Sequence, residues 1–494
     1  MQARLEWAAQ WLRKEKRLWI GGEWVRAQAG KSLPAVNPAN RLEIASICDA
    51  QSTDVDGAVA AAEKAFATWG RATRQQRASA VRQIGSLIRK HAEELATIES
   101  LNNGKTFKEA LGDDLPESAD VFDYYAGWID KIHGETLPVQ EGYLNYTRRE
   151  PLGVCALIVP WNFPLLLGCW KLAPALAMGN TVVIKPSPFT SLSMIRLMEL
   201  IDEAGIVPRG VLNLVTGGAE SGDALARHPG VNKISFTGST AVGKKIVQSA
   251  GASNLKSVAL ELGGKSPNIL FADTPNLSAA LDRSFTAMFS HKGEKCSEPT
   301  RFLVQNSIYA SVVETLVGKA KGVACGDPFD PKTQQGAQCH QAHFEKILDY
   351  ISIGKKEGAE LLVGGEADTN GANAEGLFVR PTIFGQVDSS MRIAQEEIFG
   401  PVLALIPFET EADAIRIAND SIYGLAAGLY TADISRAHRV ANALQSGMVF
   451  VNHYGCYDFA SPFGGTKQSG WGKEMAVHSL DAYTKSKSIW IRYE

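Results

Sequence analysis

Three short segments place reactive side chains among residues that shape the backbone. In Pro160-Trp161-Asn162-Phe163-Pro164 an amide is pinned between two prolines, directly after the apolar run Val154 to Val159. In open α/β sheets that strand end is where ligands bind, although a rigid turn with a packed Trp is the plainer reading. In Glu261-Leu262-Gly263-Gly264-Lys265 a carboxylate follows the apolar run ending at Leu260. Desolvation there raises its pKa and suits it to general-base work near neutral pH, while pairing with Lys265 is the structural alternative. In Gly293-Glu294-Lys295-Cys296-Ser297 the cysteine stands in a polar turn, the setting of a reactive thiol, whereas most free cysteines are buried and inert. A fourth segment, Glu396-Glu397-Ile398-Phe399-Gly400-Pro401, says little on its own.

The run from Phe236 through Gly238, Ser239 and Gly243 to Lys245 reads as a strand, a glycine-rich turn and a helix start, so its N–H groups can face a phosphate. The GxGxxG fingerprint is missing from the β-α turns. The spacing also matches most of a P-loop, and Asn268 to Asp273 resembles an apolar strand ending in a metal-binding Asp. Lys245 stands where a P-loop needs a hydroxyl on Mg²⁺, which argues against a nucleoside-triphosphatase. Plain turn glycines explain Gly238 and Gly243 equally well.

The elements that must position these residues are α/β in pattern. Apolar runs at Val154 to Val159, Thr181 to Ile184, Val211 to Val215, Val231 to Phe236 and Ser257 to Leu260 alternate with helical segments at Leu165 to Met178, Leu192 to Ala204 and Ala241 to Ala250. That alternation predicts a parallel, doubly wound sheet covered on both faces. A second set of runs, Asn268 to Ala272, Phe302 to Val304, Leu361 to Val363, Val402 to Pro407 and Met448 to Val451, predicts a second α/β domain. Upstream, Val55 to Trp69 reads as an amphipathic helix, and Val81 to Ile98 as one longer helix stopped at Asn102-Asn103-Gly104. The segment Met1 to Leu18 reads as an N-terminal helix without the apolar core of a signal peptide. Two segments, Tyr143 to Arg148 and Ser488 to Tyr493, read as strands outside both blocks, exposed edges able to pair with another subunit.

Composition bounds the function class. The 494 residues exceed one domain, and 45% hydrophobic with 21% charged residues is ordinary globular usage. A net charge of -3 disfavours nucleic acid as a partner, and no run of about 18 apolar residues proposes a membrane span. Seven cysteines without a CxxC pair or a Cys/His cluster exclude a disulfide framework and a structural zinc; no metal is expected, and a reducing, cytoplasmic setting fits.

Taken together and in order, PWNFP, KPSP, FTGST, ELGGKSP, GEKC, EEIFGPV and SPFGGTKQSG resemble the aldehyde dehydrogenase superfamily along the whole chain. The resemblance implies a Rossmann-like dinucleotide-binding domain (1–128 and 149–260), a catalytic domain (261–474) and a bridging oligomerisation arm (129–148 and 475–494), assembled as a homodimer or homotetramer. It implies oxidation of a small-molecule aldehyde to a carboxylic acid with reduction of NAD or NADP. By the same resemblance Cys296 is the nucleophile that forms a hemithioacetal and then a thioester, Asn162 helps form the oxyanion hole, and Glu261 activates the hydrolytic water.

On the cofactor side the resemblance implies Lys185 and Glu397 on the ribose hydroxyls, Ser239 of the Phe236-Thr237-Gly238-Ser239 turn on the pyrophosphate, Phe399 beside the nicotinamide, and Gly218 and Trp161 in the same cleft. Pro188 stands where NAD-preferring relatives often carry Glu, so NADP is as admissible as NAD. The substrate pocket implied by analogy draws on Phe163, Leu167, Trp170, Ser290, Tyr457 and Phe463, mostly apolar and suited to a hydrocarbon or aromatic aldehyde, with charged Lys295 and Glu298 unusually flanking the thiol. A non-catalytic binding or structural protein on the same scaffold is the other alternative, and the joint presence of Cys296 and Glu261 argues against it.

Overall fold

Five apolar runs between residues 154 and 261 form the parallel centre of an eight-stranded sheet in a computed structural model that describes residues 2–494. Strand Val154–Ile158 lies in the middle, with Thr181–Lys185 and Leu212–Leu214 on one side and Lys233–Thr237 and Ser257–Glu261 on the other. The chain therefore reverses direction of winding between Val154–Ile158 and Lys233–Thr237. That reversal opens a crevice at the carboxyl ends of the strands. The segment around Trp19 to Trp24 is an antiparallel hairpin, Leu18–Ile20 with Glu23–Val25, added to one edge. At the other edge Gly470–Trp471 pairs with Ser257–Glu261, so a late segment of the chain closes the first sheet.

The second sheet has seven strands, ordered Glu360–Val363, Thr382–Gly385, Val402–Phe408, Arg301–Gln305, Pro267–Leu270, Ala426–Tyr430 and Met448–Val451. All neighbours are parallel except the first pair, whose register shifts at Leu361/Val363. Thr382–Gly385 and Ala426–Tyr430 are additions to the strands expected from sequence. Helices cover both sheets, burying leucine, isoleucine and valine faces in separate core clusters.

Two expectations are corrected. The long helix over residues 81 to 98 is two helices, Arg74–Lys90 and Ala92–Asn103, divided at His91, whose Nδ1 lies 3.0 Å from the Glu94 carboxylate. Its apolar period runs through the break, so packing rather than a Gly or Pro signal interrupts it. Tyr143 to Arg148 and Ser488 to Tyr493 do stand outside both sheets, in a third one where Thr484–Arg492 runs antiparallel to Tyr143–Pro151 through nine residue pairs, with Thr136–Leu137 alongside. The N-terminal helix is shorter than read, Gln2–Leu12. Among the described residues no helix is long and apolar enough to cross a membrane, and the seven cysteines are free.

Candidate active site

The crevice at the winding reversal is flanked by the two turns that follow its strands. The turn after Val154–Ile158 carries Trp161 and Asn162, and the turn after Lys233–Thr237 carries Gly238 and Ser239. With Cys296 and Phe399 these residues line a cavity of about 250 Å³. Trp161 is wedged among aromatic rings, with centroids 4.7 Å from His343 and 5.2 Å from Phe399. Phe399 itself is left-handed, φ 65°, a conformation a bulky residue adopts only when its surroundings impose it. Asn162 is buried and its Nδ2 donates to the Glu294 carbonyl at 2.8 Å. A primary amide has a second N–H, which stays available to the cavity.

The turn before Cys296 is strained. His291, Lys292 and Gly293 are successively left-handed, φ 50°, 64° and 73°, and only the last is a glycine. Partners from the helical layer of the first sheet hold it. The His291 N–H donates to Glu109 Oε1 at 2.6 Å and its ring meets Asp114 at 3.1 Å. Lys292 Nζ donates to the Asn103 carbonyl at 2.7 Å and to Asn103 Oδ1 at 2.9 Å. Asn103 also donates through Nδ2 to the Trp161 carbonyl at 2.8 Å. One residue at a helix end thus ties together the turn bearing Asn162 and the turn bearing Cys296.

Two glycines explain how the ELGGK segment approaches its neighbours. A Cβ on Gly264 would strike the Cys296 carbonyl, and one on Gly263 would strike the Glu397 carboxylate. Glu397 Oε1 instead accepts the Gly264 N–H at 2.9 Å, while Lys346 Nζ holds the Glu397 carbonyl at 2.9 Å. Burial pushes the Glu397 carboxyl up. The sequence alternative of a Glu261–Lys265 pair does not form: Lys265 is buried elsewhere, its pKa lowered to about 7 by desolvation.

Glu261 is buried, and its Oε2 has no hydrogen-bond partner. Desolvation, reinforced by the Glu474 charge, raises its pKa well above the usual carboxylate range. It does not line the cavity shared by Asn162 and Cys296; its carboxylate lies against Gly464 and Lys473. The Cys296 thiol is half-buried and pushed up first by desolvation and then by the Glu261 and Glu397 charges. Burial and the neighbouring carboxylates therefore favour the thiol over the thiolate at rest.

Of the other cofactor-side candidates, Ser239 caps helix Thr240–Ala252, its Oγ accepting the Val242 N–H at 3.3 Å. Lys185 ends its strand buried, lowered to about 8 by desolvation, which the Asp49 charge opposes. Gly218 precedes helix Ala219–Arg227, and its N–H donates to Asp49 at 2.9 Å. Lys185 and Gly218 lie beyond the 250 Å³ cavity. Phe236 lies outside it too, in the core beneath Gly238.

Among the substrate-side candidates, Trp170 and Phe463 pack edge to face at 5.3 Å, and Phe463 meets Tyr457 at 5.6 Å. Leu167, Trp170 and Phe463 belong to the core cluster against which Phe163, Cys296 and Tyr457 pack. Ser290 and Tyr457 line a second cavity, of about 410 Å³, whose wall includes Lys295, Ser297 and Glu298. The apolar side chains form the backing of the thiol, and the second cavity, which Cys296 itself does not line, has Lys295 and Glu298 in its wall. For the P-loop reading, Asp273 follows a strand of the other sheet and is bonded by Thr431 and Arg436 rather than facing Gly238 to Lys245.

Sequence reasoning passed over Asn103, Asp49, His340, His343 and Lys346. Asn103 was legible only as a helix stop. His340 and His343 face one another at the start of helix Gln341–Lys356, at a spacing that also occurs on any solvated helix.

The model of the aldehyde dehydrogenase family matches residues 24–489. An aldehyde dehydrogenase of Aspergillus niger is 46% identical over 96% of this chain and 95% of its own, and human (Homo sapiens) retinal dehydrogenase 2 is 44% identical over 97% and 92%. The solved NAD+ complex of a Bacillus cereus aldehyde dehydrogenase superposes with a TM-score of 0.95 at 43% identity, covering 98% of each chain. Matched over nearly its full length by the family model and by these relatives, the chain belongs to the aldehyde dehydrogenase family.

Proposed function

We propose that this aldehyde dehydrogenase oxidises its substrate through covalent attachment to Cys296, with NAD or NADP bound across the crevice at the winding reversal. The observation that carries the reading is the shared cavity of Asn162 and Cys296, with Glu261 in electrostatic reach of the sulfur. The residues present fit a dinucleotide. Ser239 and the first turn of a 13-residue helix suit a pyrophosphate, the Lys185 ammonium and the Glu397 carboxylate suit ribose hydroxyls, and Phe399 suits a flat ring. Pro188 offers no charge to repel a 2′-phosphate, so both cofactors are admitted.

Glu261 accepts the Cys296 proton through intervening solvent, and the thiolate adds to the aldehyde carbon. The free Asn162 N–H and the Cys296 backbone N–H stabilise the alkoxide that develops. When bound, the nicotinamide supplies the two-electron acceptor that converts this adduct to a thioester. Water activated by Glu261 then releases the carboxylic acid and regenerates the thiol.

We assign cofactor binding to 1–128 with 149–260, catalysis to 261–474, and a subunit-bridging arm to 129–148 with 475–494. A homodimer or homotetramer is supported by the exposed Leu144, Trp490 and Ile491 on that arm. A reducing, cytoplasmic setting is supported by seven free thiols.

The test is aldehyde-dependent formation of reduced NAD and NADP, measured side by side; no reduction of either with any aldehyde would refute the reading. The same assay carries a pH prediction. Both Glu261 and Cys296 are raised, and both act deprotonated, so kcat/KM is expected to climb as pH rises through the neutral and alkaline range and to fall on acidification. A profile flat from pH 6 to 9 would contradict it. Asn162→Ala removes one oxyanion donor and is expected to cost about 100- to 1000-fold in kcat, read in steady-state turnover.

A further inference from the structure

The second cavity, walled by the residues on either side of Cys296, contains an unmet demand. Glu298, two residues after Cys296, is 2% exposed, and neither of its carboxylate oxygens has a hydrogen-bond partner. Its ion-pair partner, Lys295 Nζ, stands 3.7 Å away and donates instead to Ser290 Oγ at 2.7 Å. A buried carboxylate without donors is costly, and a ligand hydroxyl is one way to supply them. Both residues face the 410 Å³ space, which is within the size range of small-molecule sites. Tyr454 and Tyr457 form its aromatic side, and each is already committed, Tyr454 Oη donating to the Ser297 carbonyl at 2.8 Å and Tyr457 Oη sharing a 2.7 Å bond with Ser297 Oγ. Those two bonds fix the rings and leave Glu298 as the acceptor.

The charges that face this space decide what the ligand can carry. Lys295 and Arg283 bring positive charge to this space, Asp282 is paired with Lys319, His453 completes the rim, and burial pushes the Glu298 carboxyl well above the usual carboxylate range. A second ammonium at Glu298 meets Lys295 in the same few ångströms, and a carboxylate at Lys295 adds negative charge beside a carboxyl whose ionisation burial already opposes. A neutral hydroxyl donates to one and accepts from the other without repulsion.

We propose that the aldehydes this enzyme selects carry a neutral hydroxyl-bearing tail that docks between Glu298 and Lys295 in the cavity beside Cys296. The proposal rests on the reading of Cys296 as the nucleophile, because it treats this cavity as the place where the rest of the substrate lies. It also departs from the hydrocarbon or aromatic aldehyde that the apolar residues behind the thiol imply.

The experiment compares kcat/KM for plain alkanals from propanal to hexanal with their terminal hydroxy, amino and carboxy counterparts of equal length. The hydroxy-to-plain ratio is expected to reach about tenfold at the best-fitting length, the scale of one net hydrogen bond to a buried partner. Glu298→Met should bring that ratio to about one, and Glu298→Gln to an intermediate value. The ratio within each variant is the readout, so a general loss of activity does not obscure it. Plain alkanals preferred at every length, a larger advantage for the amino or carboxy series, or an unchanged ratio in both variants would overturn the proposal. Wild-type enzyme idle toward all four series would overturn the reaction reading itself, a failure distinct from a reversed tail preference.

Discussion

Cys296→Ala is expected to abolish aldehyde oxidation while leaving cofactor binding intact. Deleting a covalent nucleophile removes the step on which every later one depends, and losses on the order of a million-fold in kcat are the scale for such a change. The substitution is small, and the turn that carries the residue is anchored by His291 and Lys292 rather than by the sulfur. The fold should therefore survive, and a melting temperature close to wild type would show that it does. Cofactor affinity, followed by quenching of Trp161 fluorescence, should change little because the indole is held by His343 and Phe399. Steady-state turnover within tenfold of wild type would show that another group carries the acyl intermediate.

Glu261→Gln is expected to separate the two halves of the reaction. The amide keeps the shape of the side chain and loses its proton-accepting ability, at a cost of about 100- to 10,000-fold in steady-state turnover for a positioned general base. Attack on the aldehyde retains a route at high pH, where solvent hydroxide ionises the Cys296 thiol. Hydrolysis of the thioester has no such substitute in a buried site. A stoichiometric burst of reduced cofactor at alkaline pH, followed by slow turnover and a protein mass increased by the acyl group, is the expected pattern. Undiminished steady-state turnover would remove Glu261 from the mechanism and leave its raised pKa as a consequence of burial beside Glu474 alone.

Strands were easy to read because buried parallel strands are short apolar runs bounded by turns, as at Val154 to Val159 and Met448 to Val451. Chemistry was readable where a reactive residue sat beside backbone-shaping ones, as in PWNFP and ELGGK, and the resemblance of the ordered motifs made the assignment specific. What local pattern does not encode is pairing at a distance. The break at His91 sits inside an uninterrupted apolar period, and the strands near residues 145 and 489 carry no mark of one another. Lys295 and Glu298 were noticed as charges out of place; that they wall an open space while Leu167 and Trp170 pack behind them depends on the fold. Asn103 is legible as a stop signal, and three of its bonds reach residues more than fifty and nearly two hundred positions away.

That last residue also decides how independent the two halves of the enzyme are. The sulfur is encoded after residue 261, yet the left-handed turn that aims it is fastened to a helix end encoded near residue 103. A lobe made on its own from the later half would possess the nucleophile without its mooring, free to relax its backbone and withdraw the sulfur from the crevice. The geometry that aims the sulfur thus depends on residues from both halves of the chain.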